Sequence, residues 1–99
     1  MAEMLSGPDF HGFDWSGGNA EKHWQRHGVA PSEAEQVFLN MPLVWGDDPA
    51  HSGTEPRFYA LGRTDEGREL FIASTMRGRR LRVVSARDMS RRERRVYRQ

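Results

Sequence analysis

The sequence predicts a single α+β domain in which helices pack on a small antiparallel β-sheet. In its first half, apolar Ala34, Val37, Phe38 and Met41 recur at helical spacing and form one stripe. From Leu43 onward, apolar residues alternate with a period of two in four short segments, which is typical of strands. Short connections join neighbouring strands as an antiparallel meander. Two helices, a meander and a last helix in that order indicate an α+β architecture.

The bulk composition is that of one small domain spanning residues 1–99. Residues 1–9 are expected to be a flexible N-terminal lead. The chain has 99 residues and no cysteine, which excludes a disulfide scaffold, a thiol nucleophile and a cysteine-based zinc site. It also lacks an apolar stretch of the roughly 20 residues that span a bilayer, and a secretory signal. We therefore expect a cytoplasmic protein with no membrane partner.

The N-terminal part is predicted to hold a short strand and two helices. Weak alternation from Phe10 to Trp15 favours the strand, and Ser16 can cap a helix that runs to His27 and stops at Gly28. The second helix carries the apolar stripe and ends before Pro42. It begins either at a capping box over residues 32–35 or with Pro31 in its first turn.

The meander and the last helix follow. The predicted strands are Leu43–Trp45, Arg57–Leu61, Leu70–Ser74 and Leu81–Ser85. A polar loop over residues 46–56 and turns at residues 64–67 and 77–78 separate them. Ser90 and Glu93 form a second capping-box pattern that opens the C-terminal helix.

The N-terminal part of the chain is acidic overall, and the C-terminal segment is strongly basic. Residues 1–76 contain 5 basic and 12 acidic residues, whereas residues 77–98 contain ten arginines against Asp88 and Glu93. The planar guanidinium group suits two-point contact with phosphate, so the C-terminal segment indicates a phosphate-bearing ligand. The alternative is a solvated helix face.

Five motifs in order resemble a known family. They are Arg26-His27-Gly28-Val29, Glu33-Ala34-x-x-Val37-Phe38, Glu55-x-Arg57, Val83-Val84-Ser85-Ala86-Arg87 and Glu93-Arg94-x-x-Tyr97. The chain resembles the BrnT toxins of bacterial type II toxin–antitoxin systems over roughly residues 13–97. The resemblance implies a small ribonuclease with a RelE-like fold that inhibits translation and growth. It also implies a BrnA-type antitoxin, whose DNA-binding region represses the shared operon. Toxin and antitoxin would form a hetero-oligomer, with 2:2 as one stoichiometry, bound to operator DNA through the antitoxin.

RNA cleavage without a metal or other cofactor needs a base, an acid and cations that stabilise the phosphorane. The catalytic candidates are His27, His51, Glu55, Arg57, Arg82 and Arg87. Histidine has an ordinary pKa near neutrality, although His27 could instead interact with the carbonyls at a helix end and His51 could be an exposed loop residue. Glu55 could act as a base and Arg57 could hold phosphate, or the two could form a surface ion pair.

Arg82 is predicted to lie on the sheet face opposite Leu81, Val83 and Ser85, where a charge needs a partner or a ligand. We expect Arg82 and Arg87 to bind phosphate. The candidates for RNA binding outside the catalytic set are Arg79, Arg80, Arg91, Arg94 and Arg95. His23 and His27 lack a third ligand at suitable spacing, so no metal site is predicted.

Two other classes of function remain open from the residues alone. One is a non-catalytic nucleic-acid-binding module that uses the arginine-rich segment. The other is a protein-interaction module whose charge serves an acidic partner.

Overall fold

The four predicted strands form one antiparallel sheet in sequence order, which confirms the meander. The structure, a computed structural model, describes residues 10–16, 27–51, 53 and 55–99. Its elements are α1 (Pro31–Leu39), β1 (Val44–Asp47), a 3₁₀ turn (Pro49–His51), β2 (Phe58–Arg63), β3 (Glu69–Arg77), β4 (Arg80–Asp88) and α2 (Arg91–Tyr97). The α+β class is therefore confirmed.

Helix α1 begins with Pro31, so the alternative start at a Ser32 cap is wrong. Ala30 is the residue before the helix, and its backbone N–H donates to the Glu33 carboxylate at 3.0 Å. Proline suits this first position because a backbone N–H there would have no acceptor inside the helix, so its absence costs no hydrogen bond. The helix ends at Leu39, so Met41, the last member of the predicted stripe, lies outside it.

Helix α1 is the one helix before the sheet whose bounds lie within the described residues, and His27, the predicted last residue of the first helix, is also helical. The first predicted helix falls mainly on residues 17–26, which lie outside the described part of the chain. At its predicted end, Gly28 has a φ of 67°, the left-handed conformation that often follows a helix. The predicted strand from Phe10 to Trp15 is reduced to a single parallel bridge between Phe13 and Leu81 on β4.

Helix α1 covers one face of the sheet and forms the main core there. Val37 and Ala34 pack against buried Ala60, Leu70 and Ile72. Where α1 packs on β2, a Cβ built on Gly62 would lie 2.6 Å from Val37 Cγ1. Glycine is thus needed at this position because any side chain would push the helix away.

A β-bulge changes which side chains share a face of β4. Ala73 pairs with Ser85 but Ser74 pairs with Val83, so Val84 is the extra residue. Ser85 therefore lies on the same face as Arg82, whereas the sequence predicted opposite faces for these two residues. Strict alternation along the strand cannot reveal an inserted residue, which explains the error.

Helix α2 packs on the opposite face of the sheet from α1. Its predicted capping box is confirmed, since Ser90 Oγ accepts from the Glu93 N–H at 3.1 Å and the Glu93 carboxylate accepts from the Ser90 N–H at 2.7 Å. Tyr97 is buried with Leu61 and Met89, and its hydroxyl donates to the Pro42 carbonyl at 2.7 Å. This helix covers only part of its face, and the remainder is an open cleft.

Candidate active site

Two adjoining cavities form a cleft on the sheet face that α2 partly covers. The first, about 280 Å³, is named the basic pocket and is lined by Asp48, Arg57, Phe71, Ala73, Val84, Ser85 and Arg87. The second, about 340 Å³, is named the apolar groove and is lined by Asp48, Tyr59, Leu61, Phe71, Arg92, Glu93 and Val96. Because Asp48 and Phe71 line both cavities, the cleft is continuous.

Strand pairing and the bulge together assemble the basic pocket. Phe71 lies opposite Arg87, and Ala73 lies opposite Ser85, so these four side chains share a face. The loop after β1 returns alongside the start of β2, where the Asp48 N–H donates to the Arg57 carbonyl at 2.8 Å. Arg57 and Arg87, predicted from sequence as separate candidates, thus line one pocket.

Arg87 is held in place by two kinds of contact. Its guanidinium lies 4.3 Å from the centre of the Phe71 ring, a cation–π distance. It also donates to both carboxylate oxygens of Glu93, at 2.8 and 2.9 Å. These hydrogen bonds lower the pKa of Glu93 and raise the pKa of Arg87. The cleft therefore contains a positioned guanidinium group whose charge is partly offset by Glu93.

Arg82 lies near the start of β4, five residues before Arg87 and opposite Thr75. It is 3.7 Å from the Asp14 carboxylate and donates to the Ser16 carbonyl at 3.2 Å. Its side chain is 20% exposed, so the charge is mostly covered and has protein partners. Arg82 thus has the partner that its position on the sheet required.

Of the remaining catalytic candidates, Glu55 and His27 are not among the residues that line the cleft. The Glu55 carboxylate oxygen Oε2 lies 3.5 Å from Arg77 Nε. His27 is an exposed helical residue four positions before α1, and its carbonyl accepts from Arg68 at 3.5 Å. His51 ends the 3₁₀ turn three residues after Asp48, and its side chain lies outside the described part of the structure.

The predicted RNA-binding arginines occupy two places on the surface. Arg79 and Arg80 are exposed at the turn between β3 and β4. Arg91 and Arg95 are exposed on α2, whereas Arg94 is half-buried with its Nε 3.4 Å from the Glu69 carboxylate. Arg98 pairs with the same carboxylate at 2.6 Å. One acidic residue therefore offsets part of the positive charge of α2.

The cleft contains residues that the sequence did not single out. Asp48, Tyr59 and Phe71 line it, but each belongs to an ordinary loop or strand pattern, and Ser85 stood in a family motif without an assigned role. Arg68 was also missed, although it donates to Asp88, Glu33 and the Gly28 carbonyl. Its isolated position after a turn offered no signal of this network.

Within the described ranges, no group of three or more histidine, aspartate or glutamate side chains is placed to hold a metal ion. None of the helices in that part of the chain is long and apolar enough to cross a membrane.

The fold and the cleft define a small α+β protein with an arginine-lined site suited to phosphate groups. The chain belongs to the family described as "Ribonuclease toxin, BrnT, of type II toxin-antitoxin system", whose model matches residues 15–93. This match confirms the resemblance found in the sequence. A toxin of this class implies an RNA target and an antitoxin partner. No curated protein matches the chain.

Proposed function

We propose that this protein is an endoribonuclease toxin with a RelE-like fold that cleaves RNA in the cleft between its sheet and α2, without a metal ion. The observation that carries the proposal is the convergence of Arg57 and Arg87 in the basic pocket. Two guanidinium groups can bind the scissile phosphate and stabilise the extra negative charge of the phosphorane. Membership of a ribonuclease toxin family supports RNA as the phosphate-bearing ligand.

Three residues are proposed as candidates for the general acid and the general base. A base must take the proton from the 2′-OH, and an acid must protonate the leaving 5′ oxygen. Asp48 lines both cavities, so its carboxylate joins the predicted candidates His51 and Glu55. Arg79, Arg80, Arg91, Arg94 and Arg95 contribute long-range attraction of RNA, and Arg82 contributes less because Asp14 offsets its charge.

In the cell, we propose that the toxin acts in the cytoplasm, inhibits translation and arrests growth by degrading RNA. A BrnA-type antitoxin neutralises it in a hetero-oligomer and attaches the complex to operator DNA. An acidic antitoxin segment over the cleft and α2 would block RNA and associate rapidly, since opposite charges speed encounter. If a complex of the two proteins left the cleft open, this model of inhibition would be wrong.

The test is RNA cleavage by the purified toxin with EDTA present, followed by gel electrophoresis of the products. We expect the RNA to be shortened, and we expect no cleavage of a substrate that lacks the 2′-OH. Expression of the toxin alone should arrest growth with loss of RNA. A gel shift with intact RNA would instead indicate a binding module, and normal growth at high levels of folded protein would contradict a toxin.

A further inference from the structure

The apolar groove has a composition that phosphate binding does not explain. Tyr59, Leu61, Phe71 and Val96 form its walls, next to the arginines of the basic pocket. Val96 is 50% exposed, although it lies on a helix otherwise rich in arginine. The polar residues of the groove are Asp48, Arg92 and Glu93. A ligand that fills the whole cleft needs an anionic group for the basic pocket. Beside it, the ligand needs an apolar group with polar edges for the apolar groove.

The Tyr59 ring lines this groove and lies against a glycine on the neighbouring strand. Gly46 of β1 pairs with Tyr59 of β2. A Cβ built on Gly46 would lie 2.7 Å from Tyr59 Cε2 and 2.8 Å from its hydroxyl oxygen. The ring therefore lies across β1 in the space that a side chain would fill. A ring packed against the backbone of a neighbouring strand has fewer positions open to it, so it loses less conformational freedom when a base stacks on it.

A nucleotide has the required combination of groups. Its phosphate fits beside Arg57 and Arg87, and its base is flat, with apolar faces that stack on aromatic rings. The groove adjoins the basic pocket through Phe71, so base and phosphate of one nucleotide can occupy neighbouring cavities. A base inside an A-form helix is stacked on both sides and paired at its edge. It could not enter the groove without leaving the helix.

We propose that the apolar groove receives the base of an unpaired nucleotide whose phosphate is bound by Arg57 and Arg87. The substrate is then a single-stranded segment of RNA, and Tyr59 is its stacking residue. The inference rests on the proposed ribonuclease function, but the base-binding step can be measured without any cleavage.

The experiment compares the affinities of two short 2′-deoxy strands, which lack the 2′-OH needed for cleavage. One strand is intact, and in the other a single nucleotide is abasic, with the abasic position moved along the strand in successive samples. At one position, the wild-type protein should bind the abasic strand roughly 5- to 150-fold more weakly, the range that stacking of one base spans. Annealing a complementary strand should weaken binding of the intact strand in the same way.

Tyr59→Ala should make the affinities for intact and abasic strands nearly equal, whereas Tyr59→Phe should keep the difference. Gly46→Ala displaces the same ring without removing it and should reduce the difference as well. Leu39→Ala is the control, because Leu39 is 78% exposed on α1 and outside the groove.

Equal wild-type affinities for intact and abasic strands at every position would overturn the inference and leave the groove to an apolar side chain of a protein partner. Equal loss of affinity for both strands in Tyr59→Ala, with the base dependence unchanged, would also overturn it. Absence of RNA cleavage alongside a clear base dependence would instead contradict the ribonuclease function and leave the base site standing.

Discussion

The Arg87 guanidinium and the Glu93 carboxylate are joined by two hydrogen bonds of 2.8 and 2.9 Å. Arg87 lies near the end of β4, and Glu93 lies in the first turn of α2, where it also accepts from the Ser90 N–H. One carboxylate thus caps the helix and holds an arginine of the basic pocket. This dual contact gives Glu93 opposing effects on stability and on RNA binding.

Glu93→Gln separates these two effects. Glutamine retains the capping interaction at this position but loses the ion pair, so the free energy of unfolding should fall by about 1 kcal/mol. Removal of a negative charge near the bound phosphate should tighten RNA binding by up to about fivefold. Urea unfolding and RNA titration measure the two quantities, with Glu66→Gln as a control on an exposed turn. Weaker RNA binding by Glu93→Gln would contradict this account.

The same pair makes stability depend on pH in a defined direction. The hydrogen bonds from Arg87 hold the pKa of Glu93 below its ordinary value of 4.5. A lowered folded-state pKa means that this stabilisation is fully present above the ordinary value and is lost as the pH falls through the folded-state pKa. The wild-type advantage over Glu93→Gln should therefore be constant near neutral pH and shrink in acid. Urea unfolding at several pH values tests this, and an advantage that grew in acid would be inconsistent with the ion pair.

Arg68 is predicted to be a structural arginine. It donates to Asp88 at 2.8 Å, to Glu33 at 3.2 Å and to the Gly28 carbonyl at 2.9 Å. Arg68→Ala should lower the free energy of unfolding by about 1–2 kcal/mol, a range reduced for its 30% exposed side chain. Arg68→Lys should not rescue it, because lysine lacks the planar fork. Exposed Arg63→Ala is the control, and equal effects in urea unfolding of the two alanine variants would refute the assignment.

The comparison of sequence and structure shows which physical signals are local. Periodicity predicted the four strands, and the Ser90–Glu93 cap was predicted correctly because both partners lie within one turn. The bulge at Val84 was not predictable, since it depends on register with β3. It moved Ser85 to the face of Arg82 and into the basic pocket. The pairing of Tyr59 with Gly46 likewise required the register of β1 and β2.

The candidate site was predicted by residue type more than by arrangement. The resemblance and the arginine-rich segment identified Arg57 and Arg87, but only the folded sheet brings them into one pocket. Asp48 belongs to a polar loop with several candidate groups, and its contact with the Arg57 backbone depends on long-range pairing. Spatial convergence of distant residues therefore had to come from the structure.

Substitutions in the basic pocket should affect the chemical step. Arg57→Ala and Arg87→Ala should each lower kcat by roughly 10²–10³ at saturating RNA, the cost of losing a group that stabilises developing charge. Lysine at either position should restore activity only partly.

Arg82→Ala should mainly raise KM, because Arg82 lies outside that pocket beside Asp14. Glu93→Gln controls for lost stability, since it breaks the same ion pair as Arg87→Ala. Wild-type kcat in both pocket variants, with folded circular dichroism spectra, would shift attention to His27, His51 and Glu55.

Arginines of α2 should differ in their contribution to the salt dependence of RNA binding. Exposed Arg95 is free of the offset that Glu69 gives to Arg94, whose Nε lies 3.4 Å from that carboxylate. Each cation that neutralises a phosphate of single-stranded RNA adds about 0.7 to the slope of log affinity against log salt concentration. Arg95→Ala should therefore lower the slope by up to about 0.7, and Arg94→Ala should lower it less. Neither change should alter kcat at saturating RNA, because these residues lie outside the cleft lining. Titrations across a range of salt concentrations measure the slopes. A larger effect from Arg94 than from Arg95 would show that Glu69 does not offset the charge and that RNA crosses this helix on its Arg94 side.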